Sequence, residues 1–131
     1  MNAREPIEAY YLAFNRGDWE GMLALLADDV VHDINQGGRE VGVAAFRAFL
    51  ARMERCYEER LTDIVVMAAG ERGAAEFIVH GTYKASDEGL PPARGQRYTL
   101  PAGAFFELRA GRIARVSNFY NLADWLQQVS A

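Results

Sequence analysis

The sequence predicts an α+β fold in which a curved, cone-shaped antiparallel sheet wraps around three N-terminal helices. Three observations predict it. Apolar residues recur with a period near 3.6 up to about residue 57 and with a period of 2 beyond it. A short β-branched stretch interrupts the helical half. No linker, repeat or low-complexity segment divides the 131 residues, so the elements share one core and the chain is a single domain, 1–131. A twisted sheet covers a helical layer only by curling around it, and a curled sheet is open at one end.

Each element has its own signal. Ile7, Tyr10, Tyr11 and Phe14 mark one face of a first helix that Asn15-Arg16-Gly17 ends. Asp18 is placed to cap a second, carrying Trp19, Met22, Leu23 and Leu26 as far as Asp28-Asp29. Residues 30–35 read as a strand bounded by Gly37-Gly38, and a third helix over 43–57 shows Phe46, Phe49, Leu50, Met53 and Tyr57 on one face. Strands follow at 61–69 and 74–84. In the latter Ala75, Phe77, Val79, Gly81 and Tyr83 alternate with Glu76, Ile78, His80, Thr82 and Lys84. Residues 86–95, with two prolines and two glycines, form an exposed loop suited to act as a flap. A hairpin at Ala110-Gly111 joins strands 98–109 and 112–120, and a short helix over 121–128 turns Trp125 and Leu126 inward.

Half the residues are hydrophobic and a quarter charged, as in ordinary globular proteins. A net charge of -4 with scattered arginines gives no basic field for nucleic acid. The one cysteine, Cys56, has no internal partner, which fits a reducing compartment. No leader-like pattern and no apolar run near the roughly 20 residues of a membrane span is present, so a cytoplasmic protein without a membrane partner is expected. Two histidines on separate strands, without clustered cysteines, offer no metal site, and no nucleotide-binding glycine motif occurs; no cofactor is expected.

The stretch 28–42, DDVVHDINQGGREVG, lies between the helical hairpin and the sheet and concentrates polar chemistry in His32, Asp33 and Asn35. Asp33 is the candidate general base if a dry cavity raises its pKa. The opposite strand phase turns His32 inward instead, and an imidazole is then the better acid–base group. Tyr10 is on the packing face of the first helix, where its hydroxyl needs a partner.

Together the Tyr-x-x-x-Phe-Asn-Arg-Gly-Asp of residues 10–18, the Leu-Leu-Ala-Asp-Asp of 25–29, the lead-in 42–46 to the third helix and the Gly-Arg-Ile of 111–113 resemble the nuclear-transport-factor-2-like superfamily. That superfamily includes ketosteroid isomerases and SnoaL-like polyketide cyclases, and DDVVHDINQGGREVG with FYNLADWLQQV is similar to its SnoaL-like branch. In the isomerases a first-strand carboxylate moves a proton between carbons while a tyrosine and a protonated aspartic acid hold the dienolate oxygen. The resemblance places Tyr10 at the tyrosine. It places Asp33 at the base if one residue is deleted between Asp29 and Gly42, and Ile34 there otherwise. The second donor's position holds Ala104, a loss worth roughly 2.7–4 kcal/mol in such sites.

The resemblance also turns Val116, Asn118 and Tyr120 toward the cone. Asn35, Phe77, Val79, Phe106, Val116, Asn118, Tyr120 and Trp125 are the expected ligand-binding residues. It implies a homodimer through the outer sheet face, where Ile78, Phe105 and Phe119 stand among charges. The expected activity is cofactor-independent isomerase or cyclase chemistry on a small hydrophobic oxygenated ligand, with Asp33 or His32 as proton shuttle. The alternative is a non-catalytic binding domain using the same cone.

Overall fold

The computed structural model describes residues 2–35 and 37–130. Helices α1 (Arg4–Arg16), α2 (Trp19–Leu23) and α3 (Val43–Cys56) lie with strands β1 (Leu26–Asp33) and β2 (Arg39–Val41) in the first half. Strands β3 (Tyr57–Ala69), β4 (Arg72–Tyr83), β5 (Arg97–Arg109) and β6 (Arg112–Tyr120) precede the closing helix α4 (Leu122–Ser130). The strands form one curved sheet in the order β2-β1-β6-β5-β4-β3, antiparallel except for the parallel pairing of β1 with β6. This is the predicted α+β class, with an added edge strand.

The differences have local causes. The second helix stops at Leu23 rather than near Asp28, because Leu26 pairs with Ile113 of β6 and the Ile113 N–H bonds to the Leu25 carbonyl. Residues 39–41, which the sequence pattern assigns to no element, pair with β1 through Val31, His32 and Asp33. The third helix ends at Cys56, and β3 begins at Tyr57 because Tyr57 and Glu58 already pair with Tyr83 and Thr82.

The helices close over the concave face. Gly17, at φ 70, ends α1 in the left-handed conformation that glycine adopts without strain, and Asp18 caps α2 by accepting from the Gly21 N–H at 2.9 Å. The Asn15 amide both donates to and accepts from the Leu61 backbone at 2.9 Å, tying the end of α1 to β3. Ile7, Phe46, Phe106, Ile113 and Val116 are fully buried between the two layers. Each such side chain contributes roughly 1.5–3 kcal/mol. The Tyr10, Tyr11 and Phe106 rings meet edge to face at 5.2–5.9 Å, forming an aromatic floor across the cone.

Candidate active site

Above that floor lies a cavity of about 680 Å³. Tyr10, His32, Asn35, Phe77, Val79, Asn118, Tyr120 and Trp125 all line it. Phe106 and Val116, expected there, are instead fully buried, Phe106 against the Tyr10 and Tyr11 rings. Their strand phase is the predicted one, but they sit one register row deeper than Asn118, where the two layers have already met.

Strand phase also separates the two candidates expected for the proton shuttle, and of Asp33 and His32 it puts Asp33 outside the cavity. Adjacent residues of a strand point to opposite faces, and β1 turns His32 inward, 1 % exposed. Asp33 therefore faces outward and does not line the cavity. Its carboxylate accepts two hydrogen bonds from Arg39, at 2.6 and 3.0 Å, and one from the Ser117 hydroxyl at 2.6 Å. The Arg39 bonds, followed by that of Ser117, hold its pKa down at about 2. A general base must reach the ligand, and Asp33 holds its carboxylate against Arg39 and Ser117, outside the cavity.

His32 is the one of the two that lines the cavity. Its ring packs on Phe46 at 4.5 Å and meets the Phe49 edge at 4.6 Å, two residues that α3 places one turn apart. Burial lowers its pKa to about 4, helped by the Arg52 charge and opposed by that of Asp33, so the ring is neutral at pH 7. Asn118 Nδ2 lies 3.0 Å from His32 Nε2, while Nδ1 is buried without a partner among the described residues. A buried donor or acceptor left unpaired costs about 1–3 kcal/mol.

Other polar groups surround the chamber. Asn35 Oδ1 accepts from the Tyr120 backbone N–H at 2.8 Å, leaving its amide nitrogen buried and unpaired among the described residues. Tyr10 lines the cavity with its pKa raised by burial, and the Tyr11 hydroxyl is buried without a partner among those residues. Ala104, opposite Asn118 on β5, offers only a buried methyl group and does not line the cavity.

Glu59 and Tyr98, absent from the residues expected at the site, also line the cavity and hydrogen-bond at 2.5 Å. Tyr57 and Asp87, likewise absent from the expected set, line it too and are joined at 2.8 Å. Glu59 shares a strand face with Tyr57 and Leu61, so a β3 that starts at Tyr57 turns it inward. His80 takes the predicted opposite face, 2.8 Å from Thr62 Oγ1. Among the described residues no group of three His, Cys, Asp or Glu could hold a metal ion, and no helix is long and apolar enough to cross a membrane.

The sequence pattern of the SnoaL-like domain matches residues 7–116. A crystal structure from Pseudomonas putida, of a protein provisionally named a polyketide cyclase, is 62% identical. It superposes with a TM-score of 0.96 over 98% of each chain. One from Xanthomonas campestris, with the same provisional name, is 60% identical with a TM-score of 0.91, covering 95% of this chain and 93% of that one. At 18% identity, a nuclear-transport-factor-2-like protein from Burkholderia xenovorans shares the fold, with a TM-score of 0.77 over 95% of this chain and 93% of that one. No protein of curated function matches.

Proposed function

The chain belongs to the SnoaL-like domain family, and on that premise we propose that its cone is a cofactor-independent acid–base site of isomerase or cyclase type. The ligand is a small, hydrophobic, oxygenated molecule. One observation carries the reading: an imidazole kept neutral by burial stands in the wall of an apolar cavity, one nitrogen engaged by Asn118 and the other unpartnered. The names of the Pseudomonas and Xanthomonas relatives support the cyclase form.

A neutral imidazole carries one N–H and one lone pair, and its partner decides which nitrogen bears the proton. With the Asn118 amide donating to Nε2, the proton is on Nδ1, which donates to a ligand carbonyl. With that amide turned over, Oδ1 accepts from Nε2–H, and Nδ1 takes a proton from the carbon beside the carbonyl. The C–H electrons pass into an enolate, and Asn118 Oδ1 holds the resulting imidazolium. Returning the proton to a different carbon completes an isomerisation. Attack of the enolate carbon on a second carbonyl, with Nδ1–H protonating the new alkoxide, closes a ring.

The test is deuterium exchange at the α-carbon of α-tetralone in D2O, followed by NMR. The protein accelerates it, and His32→Gln lowers the enzymatic rate roughly 100-fold or more while circular dichroism is unchanged. Full activity in His32→Gln would overturn the assignment. Ala104 favours a second reading, a binding domain without catalysis, because a single donor wall orients a ligand without stabilising a developing oxyanion from two sides. Saturable binding of α-tetralone without any acceleration of exchange would select it.

A further inference from the structure

We propose that Glu59 and Tyr98 form a second recognition point in the cone, one that hydrogen-bonds a phenolic or enolic hydroxyl at the end of the ligand remote from His32. This rests on the cone being the ligand site, but not on the chemistry assigned to His32.

Three strands build the pair. Glu59 on β3 is in register with Gly81 on β4, and Gly81 with Tyr98 on β5. A Cβ at Gly81 would come within 2.2 Å of the Tyr98 ring, so the bare backbone lets the phenol lie across β4. Its hydroxyl then donates to Glu59 Oε2 at 2.5 Å, bridging strands that are not neighbours. Both residues line the cavity, beside Leu61, Val79 and Leu100.

That environment is a poor one for a carboxyl group with a single partner. Burial raises the pKa of Glu59, and the Tyr98 bond opposes the rise only in part. A carboxylate accepts up to about four hydrogen bonds, and Oε1 receives none from the described residues. The vacancy suits a donor, so it favours a hydroxyl over the same molecule bearing a methoxy group.

Placement defines the ligand further. Asn118, the partner of His32, pairs with Ala104, and at about 3.3 Å per residue Tyr98 is about 20 Å of strand contour away along β5, a span that the curl shortens through space. The class that satisfies this end is a ring-fused phenol or enol whose hydroxyl lies at Glu59, away from His32.

Calorimetric titration with 2-hydroxyanthraquinone and 2-methoxyanthraquinone tests this. The protein binds the hydroxy compound at least about tenfold more tightly, since a site built to pair a hydroxyl discriminates against its absence. Glu59→Leu abolishes the preference, and Glu59→Gln, which keeps the shape and a neutral acceptor, reduces it severalfold. Equal affinities in the wild-type protein, or a preference unchanged in either variant, would overturn the proposal. The readout is binding, so a failure of tetralone exchange would count against His32 and leave this preference standing.

Discussion

His32 binds a proton far less readily in the folded protein, at a pKa of about 4, than an unstructured histidine does near 6.5. Between those values the unfolded chain takes up the proton and the folded one does not, so stability is complete above about pH 6.5 and declines as the pH falls toward 4. At about 1.36 kcal/mol per unit the loss reaches about 3 kcal/mol. Urea unfolding at pH 7, 5.5 and 4.5 measures it, and His32→Gln flattens the slope. Asp33 acts in a lower window: its pKa is depressed by Arg39 and then Ser117, so its contribution is lost only below the ordinary carboxylate range, toward pH 2. Because it faces away from the cavity, Asp33→Asn is expected to keep the tetralone exchange rate within about threefold and to cost about 1 kcal/mol at pH 7, the scale of a partly exposed ion pair. A collapse of activity in that variant would restore Asp33 as the base.

At the level of elements, residues 86–95 are pinned rather than free. The fully buried Tyr83 hydroxyl donates to the Pro91 carbonyl at 2.7 Å and accepts from the Asp87 N–H at 2.9 Å. Tyr57 holds the Asp87 carboxylate from the same side. Ser86, Asp87, Glu88 and Leu90 line the cavity, so these bonds set how firmly the opening is covered. Tyr83→Phe leaves two backbone groups unpaired and should cost about 1–3 kcal/mol. Hydrogen exchange at 86–91 should accelerate in that variant, and unchanged exchange would show that the loop is held by other means. The strands after residue 60 were legible because each alternates through a half-buried sheet, and α1 because its apolar stripe ends at a glycine. The β2 strand was not, since three residues beside glycines carry no periodicity. The inward turn of His32 over Asp33 is a one-residue phase that pairing to β2 and β6 decides, and pairing between distant segments leaves no mark in the local pattern. Glu59 was hidden for a related reason: the helical spacing of Met53 and Tyr57 runs past the point where β4 captures the chain.

For the molecule as a whole, the two faces of the sheet divide the work. The concave face holds the chamber, and the convex face carries Phe105 and Phe119, each about half exposed and 5.7 Å apart, with Val65 and Met67 also in water. Apolar area of that kind suits a second copy of the chain. A homodimer by light scattering at micromolar concentration is expected, and the double change Phe105→Asp with Phe119→Asp should give a folded monomer; a monomeric wild-type protein would contradict this. The chamber matters most, because the assignment stands on an uncharged imidazole that handles the ligand's proton. The pH profile of tetralone exchange tests that claim most directly. An acidic limb with a midpoint near pH 4 that vanishes in His32→Gln is expected, whereas a midpoint at or above 6.5, or a profile indifferent to that substitution, would contradict the role of His32.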